Sequence, residues 1–273
     1  MRGPVILLGA LVALALAAPL LPLADPAVTE LGARLRPPLA EGHPLGTDQL
    51  GRDLLSRVVH ATRLSLGVAL CGVAVAAVLG GVLGIVAAYY GRFVDGFVMR
   101  GVDVLMAFPY LLLALAIVAA LGPGLVNATL AIAIVNVPFF ARSMRGAALV
   151  IREHDYVAAA RAAGASNLRI LSRHVLPNLA PVSIVAASST LGWMIVETAG
   201  LSFLGLGAQP PSADLGSLLG RARHVLGTAP HVVLVPGSVI FALVLIVNLA
   251  GDRMRDRLDP KLRAGSGEER KMR

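Results

Sequence analysis

The chain has 273 residues, of which 56% are hydrophobic and only 15% are charged, and its mean hydropathy is +0.77. Soluble domains average about 45–50% apolar and about 25% charged residues, so this composition excludes disorder and argues against a soluble enzyme. The net charge of +8 is compatible with nucleic-acid binding, but only two residues are lysines and only 4% are aromatic. Arginines that set the orientation of a membrane protein explain the same charge, so we expect no nucleic-acid partner.

Six apolar stretches are long enough to cross a bilayer, because about 20 apolar residues in a helix span its hydrocarbon core. The first stretch has a basic Arg2 and alanine-rich tripeptides typical of a cleaved signal peptide, but its apolar run continues to Leu23 and favours an uncleaved helix. The turn Gly122-Pro123-Gly124 separates the third stretch from the fourth. In chain order the predicted spans are 4–23, 64–89, 102–121, 125–140, 179–201 and 232–249.

Basic residues in the segments between these spans predict the orientation of the chain. One side carries both termini, the segment 90–101 and the loop 141–178 and holds 17 arginines and lysines, whereas the other side holds seven. Both termini and this loop are therefore predicted to be cytoplasmic. The predicted organisation is a first transmembrane helix over 1–24, an extracytoplasmic segment over 25–62, a transmembrane core over 63–252 and a cytoplasmic tail over 253–273.

The sequence lacks the short motifs that carry phosphate binding, hydrolysis or metal ligation in other proteins. Neither lysine follows a glycine, so there is no G-x-x-x-x-G-K-[ST] phosphate loop. The histidines show no H-E-x-x-H spacing, the single cysteine, Cys71, forms no Cys/His cluster, and no serine lies in a G-x-S-x-G elbow. We therefore predict no catalytic residue, no metal site and no cofactor bound by this chain.

The loop between the fourth and fifth spans is the most unusual polar segment. Asp155 is predicted to cap a short alanine-rich helix over 156–163, and Gly164 is predicted to end it. Ser166 is predicted to cap a second helix that runs to about Val175, after which Pro177 starts the return to the membrane. Two short helices at a sharp angle, with small residues outward, would present a knob to a partner's groove. A solvated amphipathic linker is the alternative.

Part of this loop resembles the EAA loop, E-A-A-x3-G-x9-I-x-L-P, of binding-protein-dependent ABC importers. The matching residues are Ala159-Ala160, Gly164 and His174-Val175-Leu176-Pro177, while Ala158 stands in place of the motif's glutamate. Three further motifs are similar to those of the dipeptide/oligopeptide/nickel permease family, and together they resemble its C-type subunit. They are Leu45–Asp53 with Ser56-Arg57, Gly200–Gly207, and Asn248–Arg253 with Leu258-Asp259-Pro260.

The resemblance covers about 43–263 and implies an all-α integral membrane protein with six helices and the type I ABC-importer transmembrane fold. It implies one permease subunit of an ATP-driven importer of di- or oligopeptides in the cytoplasmic (inner) membrane. The implied partners are membrane lipid, a homologous permease, an extracytoplasmic binding protein and two ATPase subunits, which would use the ATP and Mg. Coupling to the ATPases is thereby assigned to Tyr156, Ala159, Ala160, Arg161, Gly164, Ala165, Ser166, His174 and Pro177.

Polar residues in or beside the spans have both structural and functional interpretations. Asp103 is expected to form an ion pair with Arg100. Asp53 and Arg57 are four residues apart, a spacing that suits an ion pair on a helix. Their segment is expected to form a short helix lying on the membrane or, by resemblance, part of an outer vestibule beneath the binding protein. The candidate residues of the translocation path are Glu197, Ser202 and Asn136. The alternative for Glu197 is a structural acid bonded to neighbouring backbone, and the alternative for Asn136 is packing between spans.

Three alternative functions stay open at the level of the sequence. The closest alternative is a nickel or metal-chelate importer of the same family: no His or Cys cluster supports a metal site, but the binding protein usually selects the substrate. An ion-coupled secondary transporter would need its own coupling-ion site, and carboxylates within the spans are few. A membrane scaffold without transport would leave a coupling loop without a purpose.

Overall fold

A computed structural model describes residues 3–258 of the chain, and it is all-helical, with 76% helix and no β-strand among those residues. The predicted all-α class is therefore confirmed, whereas most of the predicted tail 253–273 lies outside the described residues. The α-helices are α1 (Gly3–Ala17), α2 (Leu54–Tyr90), α3 (Arg92–Met106), α4 (Tyr110–Leu121), α5 (Leu125–Arg152), α6 (Asp155–Ala162), α7 (Asn167–Ile170), α8 (Leu176–Phe203), α9 (Leu215–Ala222) and α10 (His231–Leu258).

Within residues 3–258, four helical segments are long and apolar enough to cross a membrane, and α3 with α4 makes a fifth if this bent pair is one span. The first predicted span corresponds to α1, whose 15 residues measure about 22 Å at 1.5 Å per residue, less than a hydrocarbon core of about 30 Å. Six spans and two cytoplasmic termini therefore stay predictions. The four segments are Leu54–Tyr90, Leu125–Arg152, Asn167–Phe203 and His231–Asp256.

The third predicted span, 102–121, is wrong as a continuous helix. α3 ends at Met106, α4 begins at Tyr110, and the two helices are bent by 91° relative to each other. Pro109 has no N–H to donate, and its ring disfavours the helical conformation at Phe108, so the α-helix ends before it. The apolar stretch seen in the sequence is thus divided between two helices of different direction.

The chain forms two compact units. Unit one consists of Met1–Gly72, Leu111–Ile132 and Leu191–Leu249. Unit two consists of Val73–Tyr110, Ala133–Thr190 and Ala250–Arg273.

In unit two, α2 and α5 approach each other closely at two glycines of α2. A Cβ atom added to Gly80 would lie 2.7 Å from the Phe140 Cβ, and one added to Gly84 would lie 2.9 Å from the Arg145 amide nitrogen. Real Cβ atoms essentially never come within 3.0 Å of such neighbours, so glycine at these positions permits the close contact. Pairs of small residues four apart are the usual device by which membrane helices bring their backbones together.

In unit one, the segment that precedes α2 is built from turns and not from the predicted membrane-lying helix. Gly46 and Gly51 have φ angles of +78° and +75°, in the left-handed region that glycine adopts without strain. Added Cβ atoms there would also overlap the carbonyl oxygens of Arg36 and Glu30. The glycines of the Leu45–Asp53 motif therefore fold this segment back on the residues before it.

Asp53 caps the N-terminus of α2, because its carboxylate accepts a hydrogen bond of 2.8 Å from the Ser56 amide. The helix consequently begins at Leu54, ten residues before the predicted span. The predicted pair of Asp53 with Arg57 is wrong, since Arg57 Nε lies 3.3 Å from the carboxylate of Asp48 instead. The Asp53 carboxylate caps the helix N-terminus, and Arg57 instead pairs with Asp48 in the turn before the helix.

The Gly200–Gly207 motif ends α8 and packs it against α9. Gly205 has a φ angle of +87° and terminates the helix. Added Cβ atoms would lie 2.6 Å from the Ala199 Cα at Gly216 and 3.1 Å from the Phe203 Cα at Gly220. Glycine at these two positions of α9 lets it lie directly on the last turns of α8.

Candidate functional site: the α6–α7 loop

The loop between α5 and α8 contains two short helices, as predicted. α6 begins at Asp155, so His154 occupies the N-cap position, and the prediction that Asp155 itself caps the helix is wrong by one residue. Gly164 ends α6 with a φ angle of +79°, and the next amide, Ala165 N–H, donates to the Ala160 carbonyl at 3.0 Å. This bond across the helix end is typical of a glycine-terminated helix and confirms the predicted role of Gly164.

α7 leads into α8 without a break in helical structure. The Ser166 hydroxyl accepts a bond of 3.4 Å from the amide three residues later, which confirms it as the N-cap of α7. The second helix does not end near Val175 as predicted but continues through a π-helical turn, Leu171–Val175, into α8. Pro177 explains this turn, because it has no N–H for the Arg173 carbonyl and its ring crowds that carbonyl.

The inner face of the loop is part of the core of unit two. Buried apolar side chains of α6, α7 and the π-helical turn pack against buried side chains of α2, α5 and α8. Each large aliphatic side chain buried in this way stabilises the folded state by about 1.5–3 kcal/mol, which a solvated linker would not gain. The cluster consists of Val157, Ile170, Val175, Ala88, Ala148, Ile151 and Leu179.

Tyr89, near the end of α2, contacts both short helices of the loop. Its hydroxyl donates a hydrogen bond of 2.8 Å to the Asn167 Oδ1 atom, and its ring centroid lies 6.0 Å from the guanidinium carbon of Arg161. Beside it, Arg152 donates to the Ala88 carbonyl at 2.5 Å. Tyr89 is not predicted from the sequence, because its partner Asn167 is 78 residues away. The only available signal was a polar aromatic residue at the end of an apolar span.

The outer face of the loop includes small exposed residues, two larger ones, Tyr156 and Leu168, and the exposed arginines Arg161 and Arg169. Tyr156 is 40% exposed and Leu168 is 77% exposed. The Tyr156 ring lies 5.4 Å from the ring of His154 and 6.1 Å from that of His174, so two predicted coupling residues, Tyr156 and His174, come together. The small exposed residues are Ala158, Ala159, Ala162, Ala163 and Gly164.

The exposure of Ala158 settles where the missing glutamate of the EAA motif would stand. Ala158 is exposed and does not belong to the buried cluster. Alanine in place of the motif's glutamate therefore leaves the inner packing of the loop intact. The loop thus combines a packed inner face with an exposed outer face on which small residues lie beside the charged side chains of Arg161 and Arg169. Such a surface can be received by a groove in another protein.

Residues 80–264 match the protein family described as "Binding-protein-dependent transport system inner membrane component". The chain belongs to this family. Similar proteins include the "Dipeptide transport system permease protein DppC" of Alkalihalophilus pseudofirmus, which is 46% identical over 95% of this chain and 85% of its own length. The "Glutathione transport system permease protein GsiD" of Pectobacterium atrosepticum is 45% identical over 85% of this chain and 77% of its own length.

The fold of this permease is also similar to solved structures. The MetNI methionine ABC transporter in an inward facing conformation aligns with a TM-score of 0.61 over 76% of this chain and 98% of that chain, at 21% identity. At this identity the likeness concerns the fold alone. Together with the family match, it confirms the predicted ABC-importer transmembrane fold and the location in the inner membrane.

The three candidate path residues of the permease are buried within its single chain. Glu197 accepts a hydrogen bond of 2.7 Å from the indole nitrogen of Trp193, and Ser202 donates one of 2.5 Å to Asp214, the N-cap residue of α9. Asn136 is 8% exposed. Glu197 and Ser202 lie on α8 in unit one, whereas Asn136 lies on α5 in unit two. Their place on a translocation path stays a prediction.

Two ion pairs join α3 to α5 in unit two of the permease. Asp103 pairs with Arg142 at 2.6 Å, so the predicted pair with Arg100 is wrong. Asp95 accepts two hydrogen bonds, of 2.5 and 2.6 Å, from Arg145. In each case the aspartate of α3 pairs with an arginine of α5 and not with one of its own helix. Spacing along the sequence does not reveal such a pair, because it depends on how the helices pack.

Replacing Tyr89 with phenylalanine is expected to loosen the loop without unfolding the permease. The variant keeps the ring and loses the hydrogen bond to Asn167, which is worth about 1 kcal/mol. Amide hydrogen exchange across α6 and α7 should therefore accelerate by about fivefold. The matched control is Tyr90→Phe, which removes a hydroxyl from the neighbouring, 54% exposed ring. Equal acceleration in both variants would contradict an anchoring role for Tyr89.

Proposed function

We propose that the permease is one of two membrane subunits in an ATP-driven importer of di- and oligopeptides. The observation that carries this proposal is the α6–α7 loop, whose inner face is buried in unit two while its exposed outer face carries small residues. The names of similar proteins, a dipeptide permease and a glutathione permease, support the choice of cargo. Glutathione is itself a tripeptide, so both names describe short peptides.

In this proposal the loop is cytoplasmic and transmits the movement of two ATPase subunits to the membrane helices. The buried cluster and the Tyr89 hydrogen bond support this role, because a push on the outer face then moves the ends of α2, α5 and α8 instead of bending a free linker. ATP and Mg would be bound and used by the ATPase subunits. The proposed contact residues are Tyr156, Ala159, Ala160, Arg161, Gly164, Ala165, Ser166, His174 and Pro177.

The remaining partners follow from the same proposal. A homologous permease would complete the membrane part, with the path along the interface, and an extracytoplasmic binding protein would deliver the peptide to the outer side. Glu197, Ser202 and Asn136 remain the candidates for contact with the cargo.

Uptake of a radiolabelled dipeptide tests the function directly. Cells that lack other peptide uptake would express the complete set of partner subunits with or without this chain. We expect uptake only with the chain, and we expect it to stop when ATP is depleted but to persist after a proton uncoupler is added. Uptake abolished by the uncoupler at constant ATP would overturn the proposal in favour of an ion-coupled transporter. Uptake of radioactive nickel but not of the dipeptide would overturn the choice of cargo.

A further inference from the structure

Three arginines surround one small cavity in unit one. Arg52, Arg57 and Arg221 line it together with a single acidic residue, Asp48. The cavity has a volume of about 10 Å³, which is room for a ligand of roughly the size of one water molecule. Three positive charges against one negative charge leave an excess of two positive charges around this space.

The carboxylate of Asp48 is already fully engaged. One of its oxygens accepts bonds from the Leu50 and Arg52 amides at 2.8 and 3.1 Å. The other accepts a hydrogen bond of 2.7 Å from Arg52 Nε and forms ion pairs with Arg52 Nη2 at 2.7 Å and with Arg57 Nε at 3.3 Å. The two nearby aspartates are also committed, Asp53 to His43 and the helix N-terminus, and Asp214 to the N-terminus of α9. The excess positive charge therefore has no counter-charge on these side chains.

Arg57 is the member of the group that most needs a further partner. Its side chain is only 2% exposed, and its Nη1 atom donates to the Pro26 carbonyl at 3.2 Å. Within residues 3–258 no atom accepts a hydrogen bond from its Nη2 atom. A buried donor without an acceptor is costly, and the cost is larger for a charged group. Arg57 also lies in the first turn of α2, where the helix dipole adds positive potential.

Arg221 shows the same electrostatic imbalance from the other side of the cavity. Burial lowers the pKa of its guanidinium, and the positive charge of Arg52 lowers it further, against weaker opposing effects of Asp214 and Asp48. The surroundings of Arg221 therefore disfavour the charged form of its guanidinium. An anion in the cavity would remove this penalty and accept the unpaired bond of Arg57.

We propose that this cavity is a binding site for a small inorganic anion, with chloride as the ion that fits its size. A peptide carboxylate, sulfate or phosphate has at least three heavy atoms and exceeds the space for one water-sized ligand. The bound anion would link the turn before α2 to α9, since Arg52 belongs to the turn and Arg221 to the helix. The site would stabilise unit one independently of the transported cargo.

The dependence of the melting temperature on the halide tests this site. The permease, purified with its partner subunits, would be melted in sodium chloride, sodium bromide and sodium gluconate at equal ionic strength. We expect the melting temperature to be about 2–4 °C higher in the two halides. Arg221→Gln should lose this difference, whereas Arg223→Gln, which changes an exposed arginine that does not line the cavity, should keep it.

Two results would overturn the proposal. One is a wild-type melting temperature that is the same in all three salts. The other is a halide effect that persists in Arg221→Gln, because it would then be a general salt effect. Since Arg57→Gln could prevent folding, the site itself is tested on the wild-type protein by crystals grown in bromide. An anomalous peak beside Arg57 Nη2 is expected, and its absence at saturating bromide would contradict the assignment.

Discussion

A Gly164→Val variant is expected to insert and fold but to lose stable association with the ATPase subunits. Gly164 has a φ angle of +79°, and valine in this conformation strains the backbone by about 1–2 kcal/mol. The strain is relieved if the turn between α6 and α7 opens, which displaces the proposed contact surface. A change of about 1.4 kcal/mol weakens association tenfold. The measurement is the amount of ATPase subunit that co-purifies with the permease in mild detergent.

Gly122→Val is the matched control for this variant. Gly122 also has a positive φ angle, +91°, and neither glycine has an atom within 4 Å of the position of an added Cβ. Both substitutions therefore cause backbone strain without a collision, but Gly122 lies in the turn between α4 and α5. Co-purification should stay at the wild-type level. Equal loss in both variants, or a wild-type permease that retains no ATPase, would contradict the role proposed for the loop.

A Gly84→Ala variant is expected to destabilise the permease strongly. The added methyl group would overlap the Ala141 carbonyl oxygen and lie 2.9 Å from the Arg145 amide nitrogen. Both atoms belong to the backbone of α5, so relief requires the two helices to separate. Overpacking of this kind costs about 1–3 kcal/mol, which corresponds to a fall in melting temperature of about 5 °C or more for the larger values. Thermal unfolding in detergent measures it.

Gly81→Ala provides the comparison within the same helix. Its added methyl group would lie 3.7 Å from the Met144 Cγ atom, an ordinary contact with a flexible side chain. Alanine is favoured over glycine in a helix by about 1 kcal/mol, so this variant should match or exceed the wild type in stability. A similar loss of stability in both variants would show that helix propensity or flexibility, and not the close approach at Gly84, determines the effect.

Hydropathy predicted where the helices lie but not how far they extend or where they bend. α2 begins at Leu54 because Asp53 caps it and because the polar side chains of Ser56 and Arg57 are buried among protein partners. A scale that scores these residues as exposed to water places the start ten residues later. The bend before α4 had a readable signal in Pro109, but the apolar residues around it gave the appearance of one continuous span.

The candidate loop was predicted in outline because its turn chemistry is local. Gly164 and Ser166 act on neighbouring backbone groups, so their roles can be deduced from a few consecutive residues. The contacts that hold the loop in place are different in kind. Tyr89 meets Asn167, and Arg142 meets Asp103, across separations of 78 and 39 residues. Such partners depend on how the helices pack, which a single sequence does not contain.

The bond between Trp193 and Glu197 provides a spectroscopic probe of the permease. Trp193 is the single tryptophan of the 273-residue chain, and its ring is 51% exposed in the isolated subunit. All tryptophan emission of this subunit therefore originates one helical turn from a candidate path residue. The wavelength and quenching of that emission distinguish lipid, protein and water as neighbours of this face of α8. Unlabelled protein can thus report its own conformational state at this position.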